Sequence, residues 1–368
     1  MRDARRLGYR PALDGVRGIA IAIVVSFHAF GWPKAGTLGV DLFFVLSGFL
    51  ITTLLLEEHS RSGRIGVRAF YVRRARRLLP ALFVMLFPFL LIAGAAAIFR
   101  GSVTSSLLRG LGGALTYTSN VVVAADPSSV PAALIHLWSL AAEEQFYIVW
   151  PLLLLVLIRR GGAQLVGRAL AGLLVVAIAY RLQLLLRGAS IERVYYGPDT
   201  HADSLLIGCI FGYYFVRDRL PRFVFSERAR RLSIVLGLAA VLAAAVLLSS
   251  MPERLAYETQ LVPTIFAVAA GVFVVCAALG GSAVARVLST GALAYLGRIS
   301  YSLYLWHLPL LVAFAGVDRA FGLRTMAAVI AAVVVASGSR YLIELPFIAR
   351  GRSVTPEPAR PAAVVATA

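Results

Sequence analysis

The sequence predicts an all-α, polytopic membrane helix bundle of about ten transmembrane helices, and three observations predict it. Hydrophobic residues make up 60% of the chain and charged residues 15%, with a mean hydropathy of +0.82. Soluble domains run at about 45–50% and about 25%. The apolar content recurs in runs of about 20 residues, the length that crosses a bilayer. The cations gather between alternate runs, as cytoplasmic loops require. A disordered chain is excluded by these numbers, and so is a water-soluble enzyme, which could not cover so much apolar surface. The net charge of +18 would point to nucleic acid in a soluble protein; here it reads as topology, and no nucleic-acid partner is expected.

Taken in order, the chain opens with Arg2, Arg5, Arg6 and Arg10 ahead of an apolar run without a small-residue cleavage site. That run is a retained first span, not a removed signal peptide. Spans are predicted at 12–30, 36–57, 78–99, 137–158, 165–186, 201–217, 232–250, 260–279, 293–316 and 323–346. The stretch 104–124 is apolar but broken by Thr104, Ser105, Ser106, Arg109, Gly110, Gly112 and Gly113, so it is expected to be re-entrant or interfacial. With the N-terminus inside, 25 of the 36 Lys and Arg residues fall on the inner side and eight on the outer side. Counting 104–124 as a crossing would invert every later loop and erase that bias. Both termini are therefore expected in the cytoplasm, with residues 1–350 as one membrane domain in the cell membrane. A tail at 351–368, holding Pro356, Pro358 and Pro361, is expected to be disordered. Cys209 and Cys276 lie in apolar runs and offer neither a disulfide framework nor metal spacing, so no metal is expected.

Ionisable side chains inside a span cost about 2.5–3.5 kcal/mol on insertion scales, so they face the bundle interior and are functional candidates by default. In the first span Arg17 and His28 are eleven residues apart, which places them within about 20° on a helix and about 16 Å apart along it. Asp14 falls within about 60° of both. An Asp14–Arg17 pair and an interfacial histidine would be the structural explanation. The fourth span opens with His136, Ser139, Glu143 and Tyr147 on one face, and Glu144 beside them. Ser300, Tyr304 and His307 align in the ninth span, and Asp203 and Glu344 sit near the ends of the sixth and tenth. The basic run Arg73, Arg74, Arg76 and Arg77 is either a topological anchor or a site for cytosolic phosphates, for which the guanidinium fork is suited.

Read together, LDGVRGIAIAIVVSFH, GVDLFFVLSGFLIT at 39–52, FYVRRARRLLPAL at 70–82, LWSLAAEEQFYIVWP at 137–151, LGRISYSLYLWHLPL at 296–310 and IELPF at 343–347 resemble the acyltransferase-3 family of integral membrane O-acyltransferases. The resemblance covers roughly residues 11–350. It implies transfer of an acyl group, commonly acetyl, from cytosolic acyl-CoA to a hydroxyl of a carbohydrate-type acceptor, such as a surface polysaccharide, a glycolipid or a glycosylated metabolite. Acyl-CoA is then a donor substrate and no cofactor is expected to be bound. His28 becomes the expected general base or transient acyl carrier. Arg17 becomes a contact to a CoA phosphate or the thioester oxygen. Glu143 or Glu144 would orient the histidine or relay its proton. Asp14, His136, Ser139, Asp203, Ser300, Tyr304 and His307 become expected substrate contacts, and Arg73, Arg74, Arg76 and Arg77 expected contacts to acyl-CoA phosphates. The sequence has His201 where the family usually shows arginine. Some members carry a C-terminal SGNH hydrolase-like domain, which this chain is expected to lack. A proton-coupled transporter would also use buried Glu, His and Asp, but neither inverted repeats nor paired Gly/Pro-broken spans are visible.

Overall fold

The computed structural model describes residues 7–197, 199–217, 235, 239, 246, 261–316 and 321–352. Among these residues there is no strand. The polytopic helical bundle forms for the reason the composition gives: each helix satisfies its own backbone, which is what lipid demands.

The first helix, α1 (Pro11–Phe30), starts with proline at its first turn and ends at Gly31, whose left-handed φ of 66° lets its N–H donate to Phe27 O. Helix α2 (Leu38–Ser62) ends the same way at Gly63. Helix α3 (Val67–Arg100) runs for 34 residues, about 50 Å, which overshoots a hydrocarbon core of about 30 Å. The surplus lies at its start. Residues 67–77, expected as a loop, are helical because they contain no glycine or proline and are rich in arginine, a good helix former.

The stretch 104–124 forms two short helices, α4 (Ser105–Thr116) and α5 (Ser119–Ala125), separated by Tyr117 at φ 54°. At 12 and seven residues, neither reaches across a bilayer, which agrees with the expected non-crossing segment. Helix α6 (Leu137–Leu186) holds the predicted spans 137–158 and 165–186. Gly161 and Gly162 leave helical geometry between them, Gly162 at φ 61°. A short α7 (Ile191–Tyr196) precedes α8 (Ala202–Val216). Then come α9 (Leu261–Leu279), α10 (Ala283–Leu288) and α11 (Gly291–Ala315). Helix α12 (Leu323–Gly338) passes through a π-helical turn, Ser339–Glu344, into α13 (Leu345–Arg352). Every predicted span except 232–250 falls on one of these helices. Of that span only residues 235, 239 and 246 are described, and of the expected tail 351–368 only residues 351 and 352, which end α13. Six of the helical stretches are long and apolar enough to cross a membrane, and α8 is a shorter apolar helix.

Two crossings position the site. Helix α1 packs on α11, and α2 on α8. In the first, a methyl group on Gly297 would land on Asp14 O; in the second, one on Gly48 would land on Leu205 O. Glycine at these positions lets the backbones touch, the usual device where lipid gives no hydrophobic drive for helix association.

Candidate active site

Helix α1 carries the site at both ends. Near its C-terminal end His28 is half-buried, and its Nδ1 lies 2.9 Å from Val24 O. A carbonyl only accepts, so Nδ1 holds the proton of that bond. His28 lines a cavity of about 220 Å³ together with Thr37, His136 and Tyr304. Trp138, Tyr195 and Tyr196 add aromatic walls, and the rest of the lining is mainly apolar. The volume is below the about 300–1,000 Å³ of pockets that enclose drug-sized ligands, so the cavity suits one small group.

The expected polar residues of α6 and α11 converge here in part. His136 caps α6 and is 2% exposed, and neither of its ring nitrogens has a hydrogen-bond partner. The Tyr304 hydroxyl donates to His136 O at 2.6 Å and meets Ser139 Oγ at 2.5 Å. His307, fully buried, meets two imidazoles at steep angles, with ring centroids 5.1 Å from His28 (58° between planes) and 5.1 Å from His136 (77°). Ser300 is buried on α11 outside the cavity lining.

A second cluster sits towards the start of α1. Arg17 lies about 16 Å from His28 along the helix, and Arg77 of α3 feels the charges of Arg17, Arg74, Arg340 and Glu344. The carboxylates nearby are largely committed. Glu144 takes a bidentate bond from Arg74, with Arg74 Nε to Oε2 at 2.8 Å. The Arg74 guanidinium also lies 3.1 Å from the centre of the Tyr147 ring. Glu143 accepts from Ser47 and is 4.0 Å from Arg74. Glu344 holds Arg340 at 2.7 Å and accepts from Ser302 at 2.5 Å. Among the described residues no ion pair involves Arg17 or Arg77. The cluster therefore holds two cations that form no ion pair among the described residues. No group of three or more metal-ligating side chains able to hold a metal occurs among the described residues.

Other expected contacts are placed elsewhere. Asp14 accepts from Tyr9 at 2.9 Å on a partly exposed edge of α1, and no ion pair joins it to Arg17 among the described residues. Asp203 is clamped by Arg181 at 2.8 Å and by Thr264 at 2.7 Å, tying α6, α8 and α9 together. Arg73 is exposed and Arg76 half-buried, so helical geometry splits the basic run: Arg74 turns inward to Glu144, while Arg77 joins Arg17. His201 lies 3.2 Å from Asp41 Oδ1 and 2.6 Å from Tyr195 O, and Ser204 donates to the same carboxylate at 2.8 Å. Sequence reasoning missed Ser47, Ser302 and the aromatic wall. The serines belong to apolar runs in which a single hydroxyl gives no signal, and Tyr195 and Tyr196 sit in a six-residue helix too short to show a periodicity.

Comparison with known proteins adds an independent line. A family model described as an acyltransferase domain matches residues 10–342. A peptidoglycan O-acetyltransferase, OatA, of Listeria monocytogenes serovar 1/2a is 30% identical over 311 residues, covering 82% of this chain and 49% of the relative. A putative peptidoglycan O-acetyltransferase, YrhL, of Bacillus subtilis is 35% identical over 317 residues, covering 83% and 49%. An O-acetyltransferase, OatA, of Staphylococcus aureus is 32% identical over 313 residues, covering 83% and 51%. The chain thus spans about half the length of these relatives. No solved structure matches.

Proposed function

The chain belongs to the acyltransferase domain family, and on that premise we propose that it is a membrane-embedded O-acyltransferase. It moves a short acyl group, acetyl, from cytosolic acyl-CoA to a hydroxyl of a carbohydrate-type acceptor at the cell envelope. The observation that carries this reading is α1 itself. One helix places a histidine in a small cavity and, about 16 Å away, an arginine with no ion pair among the described residues. Acyl-CoA has the same layout, with anionic phosphates at one end of a thin pantetheine arm and a thioester at the other.

In this reading Arg17 and Arg77 hold the phosphates, and Arg74 is the strut that keeps α3 on α6. The cytoplasmic side is the one carrying the arginines, with both termini there and residues 1–350 acting as one membrane domain. At the far end the acceptor hydroxyl attacks the acyl carbonyl. The new O–C bond forms as the C–S bond breaks, and His28 takes the hydroxyl proton and returns it to the departing thiolate. The cavity volume favours acetyl over a long acyl chain, and the aromatic wall suits the apolar face of a sugar ring. The names of two relatives, a peptidoglycan O-acetyltransferase and a putative one, support this acceptor class.

Purified protein in lipid vesicles, given radiolabelled acetyl-CoA and a glycan acceptor, tests the proposal. Label should move to the glycan and free CoA should appear in equal amount. Solute flux across the vesicle without consumption of acetyl-CoA would make the protein a transporter instead.

A further inference from the structure

We infer that His307 is a positioning residue of the transfer reaction: from between the rings of His28 and His136 it offers a bare Nε2 that stabilises His28 while His28 carries the acceptor's proton. This rests on the function proposed above.

The geometry carries the inference in three steps. His307 Nδ1 lies 2.7 Å from Tyr304 O and 3.2 Å from Leu303 O. Carbonyl oxygens only accept, so the ring proton sits on Nδ1 and Nε2 is left as an acceptor. That Nε2 is buried and has no hydrogen-bond partner, on a side chain that is 0% exposed. Leaving an imidazole lone pair unmet inside a bundle is costly, and a leucine would fill the same space without the cost. Finally, the ring is held where a lone pair has a use, 5.1 Å from the centre of the His28 ring. His136 closes the other side at 5.1 Å, with both its nitrogens also unmet.

In the reaction a positive charge develops on the ring 5.1 Å away. When the acceptor oxygen bonds to the acyl carbon, its proton passes to His28 Nε2, and His28 then carries N–H on both nitrogens and a positive charge. An adjacent neutral imidazole whose only free position is an acceptor lowers the energy of that cation. When the C–S bond has broken, His28 returns the proton to the thiolate sulfur and the three rings are neutral again. No proton is stored in His307, which therefore acts through His28.

The test compares His307→Leu, His307→Gln and the parent in lipid vesicles, with kcat and the KM for acetyl-CoA measured per folded protein from the monodisperse size-exclusion peak. Leucine removes the lone pair and keeps the volume; glutamine restores an acceptor oxygen. His307→Leu should lower kcat about 10- to 100-fold, less than the about 10²–10⁴-fold typical of a base itself, with KM for acetyl-CoA changed by less than about twofold. His307→Gln should recover at least a third of the lost factor on a logarithmic scale. A His307→Leu kcat within threefold of the parent, or a glutamine variant no better than leucine, overturns the role of His307 alone. A parent that transfers no acetyl group from acetyl-CoA overturns the functional reading and this inference together.

Discussion

Replacing Glu144 with glutamine tests the strut that joins α3 to α6. Glu144 is 7% exposed and takes two bonds from Arg74. Breaking a buried ion pair by removing one partner costs about 3–5 kcal/mol, because the remaining charge is left unmet. Three features of this site reduce that figure. The Arg74 side chain keeps 19% of its exposure, Glu143 Oε1 is 4.0 Å from its guanidinium, and the Tyr147 ring lies against it at 3.1 Å, a contact worth up to about 2 kcal/mol. A loss of about 2 kcal/mol is therefore expected for Glu144→Gln. Glu143→Gln, on a side chain 22% exposed, should lose under about 1 kcal/mol, as partly exposed pairs do. The assay is thermal unfolding in one detergent, followed by the surviving size-exclusion peak. Glu144→Gln should melt several degrees below both the parent and Glu143→Gln, and Arg74→Met combined with Glu144→Gln should recover part of the loss. Equal melting of the two glutamine variants would refute the strut.

Further outcomes follow from the same geometry. Arg17→Lys should raise the KM for acetyl-CoA several-fold, since lysine keeps the charge but loses the planar fork, and Arg77→Gln should do the same with an effect that shrinks at high salt; unchanged KM values measured across salt concentrations would remove the phosphate site. Gly297→Leu should abolish the folded size-exclusion peak, because its side chain would occupy the position of Asp14 O; a monodisperse active variant would contradict the α1–α11 crossing. Gly162→Cys should be labelled by an impermeant thiol reagent only after the inner face is exposed, and labelling in intact cells would invert the orientation.

The helices were legible because lipid imposes the simplest of patterns, long apolar runs bounded by arginine. Even 104–124 was readable as non-crossing, since its glycines and hydroxyls mark the break that the structure puts at Tyr117. The start of α3 was not, because hydropathy detects membrane and not helix, and an arginine-rich helix outside the bilayer looks like a loop. Within the site, spacing along one helix placed Arg17 and His28 correctly relative to each other. Spacing could not show that Asp203 closes on Arg181, or that Glu144 closes on Arg74, because those partners lie on other helices. The contact of His307 with His28 and His136 is a tertiary fact for the same reason.

The central claim, acyl transfer at His28, is tested most directly by comparing His28→Ala with the parent for transfer of label from acetyl-CoA to a glycan, in vesicles and at matched folded protein. The account predicts a loss of about 10²–10⁴-fold in kcat, the usual contribution of a general base, with the melting temperature close to that of the parent. A His28→Ala protein that transfers acetyl within a few-fold of the parent would contradict it.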